Sequence, residues 1–309
     1  MNFTDRQVIL TGATGGIGRA VAQQLAERGA RVIAIGRHQQ TLRDLEHQLP
    51  KPATDHHVFF SADITDSSER LRVFKTLHQQ QLRPNCLITL AGVNDFAMFK
   101  DQAADTIQNI IDLNVSASLF TTQMAIPLIR HEKNPLIVHV GSVFGALGYP
   151  GQSVYCASKY ALRGFSEALR RELSDTPITV KYFAPRATQT AFNSSSMRQL
   201  NHTLGNTVDA PETVARALLK FMHTTRSEYT MGYAERIFVL LNQLLPGLIS
   251  RALKKQMPLI RQHATARSST VNYHKLSQKL SHKLSHKLSD KPSHKHLSQA
   301  SKTSDQKPC

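Results

Sequence analysis

A glycine-rich turn near the N-terminus constrains the fold of this chain more than any other feature. The segment TGATGGIG at 11–18 follows a short β-branched run at 7–10 and precedes a helical pattern that stops at Gly29. Glycine is needed where a backbone turns sharply or approaches another group closely. A helix that begins after such a turn offers unpaired N–H groups and its positive dipole end to phosphate. The segment therefore predicts a strand, a phosphate-binding turn and a helix, with a tight turn that binds nothing as the alternative.

Strand and helix patterns alternate along the rest of the chain. Further apolar runs lie at 31–35, 58–61, 86–90, 136–140 and 178–183, a short one lies at 229–232, and helical patterns separate them. Parallel strands need such crossovers, so the order predicts an α/β fold with one doubly wound, Rossmann-type parallel sheet of about seven strands. Asp66 and Glu69 predict a capping box, and a helix is expected from 101 to 130. In such sheets, ligands bind at the carboxyl ends of the strands.

A serine, a tyrosine and a lysine form the second informative group. Ser142 follows the run at 136–140, and Tyr155 lies four residues before Lys159 on a predicted helix. That spacing places phenol and ammonium on the same helix face. A neighbouring ammonium favours the phenolate, so the phenol pKa is expected to fall from about 10. Because a serine hydroxyl can hold a carbonyl oxygen, the group predicts a proton-transfer site; a merely buried tyrosine is the alternative.

With these motifs, the sequence resembles the short-chain dehydrogenase/reductase family over about residues 5–232. The family patterns TGxxxGxG and YxxxK are met by Thr11, Gly12, Gly16 and Gly18, and by Tyr155 and Lys159. The family's catalytic serine, its catalytic asparagine and the acid that contacts adenine are matched by Ser142, Asn114 and Asp63.

The resemblance implies a role for each catalytic residue. Tyr155 is expected to act as the general acid in carbonyl reduction, or as the base in the reverse direction. Lys159 is expected to lower the pKa of Tyr155 and to bind the nicotinamide ribose. Ser142 is expected to orient and polarise the carbonyl, and Asn114 to hold a water that links Lys159 to solvent.

The residue after the second strand predicts the cofactor. An acid there binds the ribose 2′-OH of NAD, whereas an arginine meets the 2′-phosphate of NADP. The chain has Arg37, so NADP(H) is expected in preference to NAD, with a solvated surface charge as the alternative. The implied cofactor-binding residues are Thr11, Gly12, Thr14, Gly16, Ile17, Gly18, Arg37, Asp63, Ile64, Ala91, Gly92, Tyr155, Lys159, Pro185 and Thr190.

Two segments depart from the family pattern. The family's NNAG is Thr89-Leu90-Ala91-Gly92 here, which keeps the small residues but loses both asparagines. The family's Pro-Gly after the sixth strand is Pro185-Arg186, with Thr190 in place to reach the carboxamide. Arg186 either adds positive charge that favours an anionic or thioester-carrying substrate, or points to the surface.

The expected function is that of an NADP(H)-dependent ketoreductase. Segments 94–99, 143–151 and 191–204 are expected to line the substrate, and the second is apolar. An apolar, lipid-like or 3-oxoacyl-like ketone is therefore predicted. A non-catalytic NADP-binding scaffold with the same fold is the alternative from another class. The resemblance also implies a homo-dimer or homo-tetramer.

The C-terminal part is basic and has two regions. The formal net charge is +16, and residues 268–309 hold eight lysines against two acids. After a catalytic domain at 1–232, the apolar and basic stretch at 233–262 predicts helices. These either pack on their own domain or a partner subunit, or lie on an anionic membrane surface through Arg251, Lys254 and Lys255. The low-complexity KLSH repeats within 263–309 predict a disordered tail, with charge-driven contact to lipid or nucleic acid as the alternative and no specific nucleic acid expected.

Cysteine content and hydropathy indicate the compartment. Cys86, Cys156 and Cys309 have no metal-ligand or disulfide spacing, so no metal site is expected. The first residues lack a secretory-signal pattern, and no apolar run reaches the roughly 18 residues of a membrane span. A cytoplasmic location is expected, with peripheral membrane contact as a further possibility.

Overall fold

A computed structural model describes residues 2–52 and 56–264. In this part of the chain, seven parallel strands form one sheet in the order β3-β2-β1-β4-β5-β6-β7. The strands are β1 (Gln7–Thr11), β2 (Arg31–Gly36), β3 (Val58–Ser61), β4 (Cys86–Thr89), β5 (Leu136–Val140), β6 (Thr179–Ala184) and β7 (Glu228–Thr230). The predicted doubly wound, Rossmann-type sheet is confirmed.

Helices connect and cover the strands. They are α1 (Gly16–Ala26), α2 (Gln39–Gln48), α3 (Ser67–Gln79), α4 (Ala104–Ile111), α5 (Ala117–Ile129), α6 (Ser153–Glu172), α7 (Ser195–Thr203), α8 (Pro211–Met222), α9 (Tyr233–Leu244) and α10 (Pro246–Ala264). Two short 3-10 turns occur at Phe99–Asp101 and Val143–Gly145, and a π turn at Asp112–Ser116 joins α4 to α5.

The core consists of two apolar layers, one on each face of the sheet. Successive side chains of a strand point to opposite faces. Accordingly, Val8 and Leu10 pack in one layer, and Ile9 packs in the other. All three side chains are fully buried, so the sheet is covered on both sides, as a parallel sheet requires.

Two local predictions need correction. The helix expected from 101 to 130 begins at Ala104 and is interrupted by the π turn. Asp66 does cap α3 by accepting bonds from the amides of Ser68 and Glu69. The Glu69 carboxylate, however, accepts a bond from the amide of Asp63 rather than that of Asp66. The reciprocal bond of a capping box is therefore replaced by one that holds the loop after β3.

Strand register brings the marked segments together. Thr11 pairs with Thr89, and Val140 pairs with Phe183, so β1, β4, β5 and β6 end at the same edge. The turns that follow these strands carry the glycine-rich segment, residues 90–92, Ser142 and Pro185.

The C-terminal helices follow the sheet. Ile260 of α10 is fully buried and packs against Met197 and Leu200 of α7. Among the described helices, no single one is long and apolar enough to cross a bilayer. α9 and α10 meet that requirement only as a pair, and the chain bends by 119° between them. The predicted tail lies outside the described residues from position 265 onward.

Candidate active site

A cavity of about 560 Å³ lies at the carboxyl edge of the sheet. Most of the predicted site residues line it. They are Gly12, Thr14, Gly16, Ile17, Arg37, Ile64, Ala91, Gly92, Ser142, Tyr155, Lys159, Pro185 and Thr190. Four predicted residues do not line it, namely Thr11, Gly18, Asp63 and Asn114.

The glycine-rich turn forms a cradle at one end of the cavity. Gly12 has a φ of +69°, and a Cβ there would lie 2.8 Å from the Cα of Ala91. A Cβ at Gly18 would overlap the carbonyl oxygen of Gly12. The N-cap of α1 is Gly15, so no side chain caps the first amides of the helix. These amides and the helix dipole are available to phosphate, and the cradle fits a dinucleotide pyrophosphate.

Thr11 supports the cradle from outside the cavity. Its hydroxyl oxygen accepts bonds from the amides of Leu90 and Ala91, at 3.1 and 3.3 Å. It therefore ties the end of β1 to the segment after β4. The tie uses backbone amides, so it does not need the asparagines that the family has at positions 89 and 90.

The end of the cavity beside β2 and β3 has one positive side chain. Arg37 is exposed and lines the cavity, and no described residue pairs with its guanidinium. Ile64 supplies an apolar wall there. Asp63 lies outside the lining, and its carboxylate accepts bonds from the amide and hydroxyl of Thr65.

The serine, tyrosine and lysine meet in the middle of the cavity. The Ser142 hydroxyl accepts from the amide of Phe144 at 3.1 Å and lies close enough to the Tyr155 phenol to lower its pKa. The Lys159 Nζ lies 5.7 Å from the Tyr155 ring centroid and donates to the carbonyl of Val140 at 3.2 Å. Tyr155 is only 6% exposed and Lys159 only 4%. Three polar groups therefore converge in a site that is nearly closed to bulk water.

Burial controls the protonation of these groups. It raises the pKa of Tyr155 above its ordinary value of 10, and this effect exceeds the lowering effect of the nearby Ser142 hydroxyl. Burial also lowers the pKa of Lys159 to about 8. The prediction that the Tyr155 pKa falls is therefore wrong for this arrangement. Near pH 7, Tyr155 is a neutral phenol that can donate a hydrogen bond or a proton.

Asn114 lies behind the cavity, on the π turn between α4 and α5. Its side-chain oxygen accepts from the amide of Val93 at 2.8 Å, and its nitrogen donates to the carbonyl of Val93 and to the Ser158 hydroxyl. Ser158 in turn donates to the carbonyl of Tyr155 at 2.7 Å. Asn114 thus connects the segment after β4 to the helix that carries Tyr155. Both amide hydrogens of its side chain are used in this link.

Tyr182 of β6 is a site residue that the sequence analysis missed. Its phenol accepts from the amide of Ser142 and donates to the carbonyl of Ser142, both at 3.3 Å. A Cβ at Gly141 or at Gly145 would overlap this phenol oxygen. In the sequence, Tyr182 looks like any other aromatic residue of a buried strand. The one sequence feature that indicates a bulky neighbour beside Ser142 is the presence of Gly141 and Gly145 on either side of it.

Arg186 follows neither of the two expectations. Its guanidinium binds both carboxylate oxygens of Asp209, at 2.8 and 2.9 Å, and lies 3.6 Å from Glu235. These acids raise the pKa of Arg186 and compensate its charge. Although Arg186 lines the cavity, it joins the loop after β6 to α9 instead of offering a free cation.

The remaining part of the cavity is mainly apolar. The predicted substrate segments contribute Asn94, Val143, Phe144, Leu147, Tyr149, Ala191, Phe192, Asn193, Met197 and Asn201. The C-terminal helices contribute six residues that the sequence analysis did not anticipate: Glu235, Phe238, Ile249, Ala252, Leu253 and Gln256. These helices therefore form a wall of the site.

Comparisons with known proteins agree with this arrangement. Residues 6–201 match a family model described as short chain dehydrogenase. An uncharacterized oxidoreductase of Bacillus subtilis, YxnA, is 27% identical over 259 residues, covering 82% of this chain and 72% of that protein. Carbonyl reductase family member 4 of Danio rerio is 30% identical over 181 residues, covering 58% and 74%. A short-chain dehydrogenase structure from Streptomyces avermitilis has the same fold, with a TM-score of 0.67, 23% identity and coverage of 83% and 98%.

Proposed function

The chain belongs to the short-chain dehydrogenase family, and from that premise we propose that it is an NADP(H)-dependent oxidoreductase that reduces an apolar or acyl-linked ketone. The observation that carries the proposal is the convergence of Ser142, Tyr155 and Lys159 in one cavity with the glycine cradle. The cradle holds a dinucleotide, and the three side chains act on a carbonyl beside it.

The residues in the middle of the cavity perform the proton chemistry. The Ser142 hydroxyl and the Tyr155 phenol both donate hydrogen bonds to the carbonyl oxygen, which polarises the C=O bond. When bound, the nicotinamide cofactor supplies the hydride to the carbonyl carbon. As negative charge develops on the oxygen, Tyr155 gives up its proton there, and the Lys159 ammonium stabilises the phenolate that remains. Burial keeps Tyr155 protonated beforehand, which suits an acid in the direction of reduction.

Arg37 supports the preference for NADP(H). Its guanidinium is exposed at the end of β2 and has no partner among the described residues. A 2′-phosphate on the adenosine ribose would provide a charge-assisted partner for it. Lys159 keeps N–H donors for the nicotinamide ribose, because its only hydrogen bond among the described residues is to the carbonyl of Val140.

The apolar wall supports the substrate class. Val143, Phe144 and Leu147 line the cavity together with Phe238 and Leu253, and these side chains stabilise an apolar ketone by burying its surface. A panel of ketones with increasing chain length, each assayed for NADPH oxidation, tests the proposal. We expect kcat/KM to rise with apolar chain length. Activity confined to small polar sugars or polyols would contradict it.

A further inference from the structure

The surface of α9 and the start of α10 is unusually apolar. Seven of the thirteen large hydrophobic side chains that are exposed in the described residues lie between positions 233 and 248. We call residues 233–248 the apolar elbow, because the chain bends by 119° within it. At its tip, around Pro246 and Gly247, Leu244, Leu245 and Leu248 are 68%, 55% and 51% exposed. A concentration of exposed apolar side chains of this kind indicates an interaction site.

The elbow is fixed to the catalytic domain. The side-chain amide of Asn242 donates to the carbonyl of Ala146 at 3.0 Å, in the loop that follows Ser142. The same side chain also lies near the Tyr160 phenol of α6. Beyond the bend, Ile249 and Ile260 are buried. α10 is therefore packed at Ile249 and Ile260, whereas α9 has no buried residue and is held through Asn242. The exposed apolar side chains of the elbow remain accessible to a partner.

The positive charge beside this surface indicates which kind of partner would bind it. Residues 233–264 contain five Lys or Arg and one acid, Glu235, which lies 3.6 Å from the guanidinium of Arg186. Arg251, Lys254 and Lys255 are exposed on α10, directly after the apolar tip. Farther along the sequence, residues 268–309 add eight lysines against two acids. An apolar surface flanked by net positive charge is complementary to an anionic bilayer surface.

We propose that the apolar elbow docks this protein on the surface of anionic membranes. The leucines of the tip enter the headgroup region, and the flanking cations contact the anionic lipids. A second copy of the chain fits less well, because a two-fold contact through this face would bring like charges together.

The elbow also touches the cavity. Phe238 is 49% exposed on the elbow and lines the cavity as well. Farther along, Ile249 and Leu253 line the cavity from α10. Docking therefore places the apolar side of the cavity next to the bilayer. It follows that the substrate is a ketone dissolved in the membrane; this last step rests on the proposed function, whereas membrane docking does not.

Co-sedimentation of the full chain with vesicles tests the docking. We compare vesicles of phosphatidylcholine alone with vesicles that contain about one-third phosphatidylglycerol. The double variant Leu244→Glu/Leu248→Glu removes the apolar tip, and Leu71→Glu, at a 44% exposed leucine of α3, is the matched control. We expect wild type and control to bind the anionic vesicles, and the double variant to bind at least about tenfold more weakly, since two leucines lose their burial.

Two results would overturn the proposal. The first is equal vesicle binding by wild type and double variant, which would mean that charge alone attracts the chain. The second is an absence of wild-type vesicle binding, with a smaller oligomer for the double variant, which would assign the elbow to contact between copies.

An activity assay separates this proposal from the proposed function. The tip leucines do not line the cavity, so NADPH-dependent reduction of a small water-soluble ketone is expected to be unchanged in the double variant. For a long-chain ketone supplied in vesicles, KM is expected to rise at least about fivefold, since docking no longer concentrates enzyme and substrate together. Vesicle binding without any reductase activity would refute the proposed function and leave the docking intact. An unchanged KM for the vesicle-borne ketone would refute delivery from the membrane.

Discussion

At the residue scale, burial determines which charges the site carries. Tyr155 and Lys159 lie one turn apart, and the spacing alone suggested that the ammonium would lower the phenol pKa. Instead, desolvation dominates both groups: it raises the pKa of Tyr155 and lowers that of Lys159 to about 8. The phenol stays protonated until a negative oxygen forms beside it. This behaviour suits a proton donor in reduction.

Lys159 is expected to reduce the stability of the fold. Its pKa falls from 10.5 to about 8, so the unfolded chain binds more protons between these values. The resulting loss of folding stability is absent above about pH 10.5, grows as pH falls, and reaches its full size below about pH 8. Lys159→Met is therefore expected to raise the free energy of unfolding by about 2 kcal/mol at pH 7, with a smaller gain at pH 10, while abolishing activity. Urea unfolding at both pH values measures this; equal gains at the two would show that burial of the charge is not the cause.

Arg37 is expected to determine the choice between the two nicotinamide cofactors. Arg37→Asp removes the cation that would meet a 2′-phosphate and introduces an acceptor for a 2′-OH. We expect the Kd for NADPH to rise about tenfold to a hundredfold and the Kd for NADH to fall. Tryptophan is absent from the chain, so fluorescence of the bound reduced cofactor reports binding without interference from the protein.

Arg43→Asp, at an exposed arginine of α2, is the matched control and is expected to leave the Kd values for NADPH and NADH unchanged. An unaltered NADPH affinity in Arg37→Asp would assign Arg37 to the solvated surface.

At the element scale, the position of Ser142 depends on β6. The Tyr182 phenol binds both the amide and the carbonyl of Ser142, and Gly141 and Gly145 leave the space that it occupies. Tyr182 is a positioning residue, since it acts on the reaction through Ser142.

Tyr182→Phe is expected to lower kcat by about tenfold with little change in the KM for cofactor, because the Ser142 hydroxyl loses its fixed position while the glycine cradle is unaffected. Tyr229→Phe, on the neighbouring strand β7, is the control with unchanged kinetics. Gly141→Ala, whose Cβ would overlap only atoms of the Tyr182 side chain, is expected to reproduce the effect of Tyr182→Phe. Steady-state kinetics of all three variants test this. Should the cofactor KM change as much as kcat, Tyr182 would be a general stabiliser of the fold instead.

The elements that follow simple sequence periodicity could be predicted, and those that depend on tertiary contacts could not. Alternating apolar runs predicted the sheet, and TGATGGIG predicted the turn into α1. The π turn around Asn114 was missed, since nothing in a helical pattern signals one extra residue in a turn. The cavity wall formed by Phe238 and Leu253 was also missed, because the direction in which a C-terminal helix folds back is set by packing on α7.

At the scale of the whole molecule, the charge and the apolar surface lie in the same part of the chain. Composition showed an excess of positive charge, but the sequence left open whether the stretch at 233–262 packs or lies on a membrane. In the structure, α10 packs on the catalytic domain and both helices line the cavity, whereas the leucines of the tip are exposed. Catalysis and the proposed membrane contact therefore share one pair of helices.

The central claim is that this cavity reduces a carbonyl with Tyr155 as the proton donor. The most direct measurement compares wild type and Tyr155→Phe for NADPH-dependent reduction of a long-chain ketone, with the NADPH-induced rise in Tm measured in both. We expect the rate to fall by about 10²–10⁴-fold in the variant, since it loses its general acid, and the rise in Tm to be preserved. Equal rates in the two proteins, with NADPH bound to both, would contradict the claim.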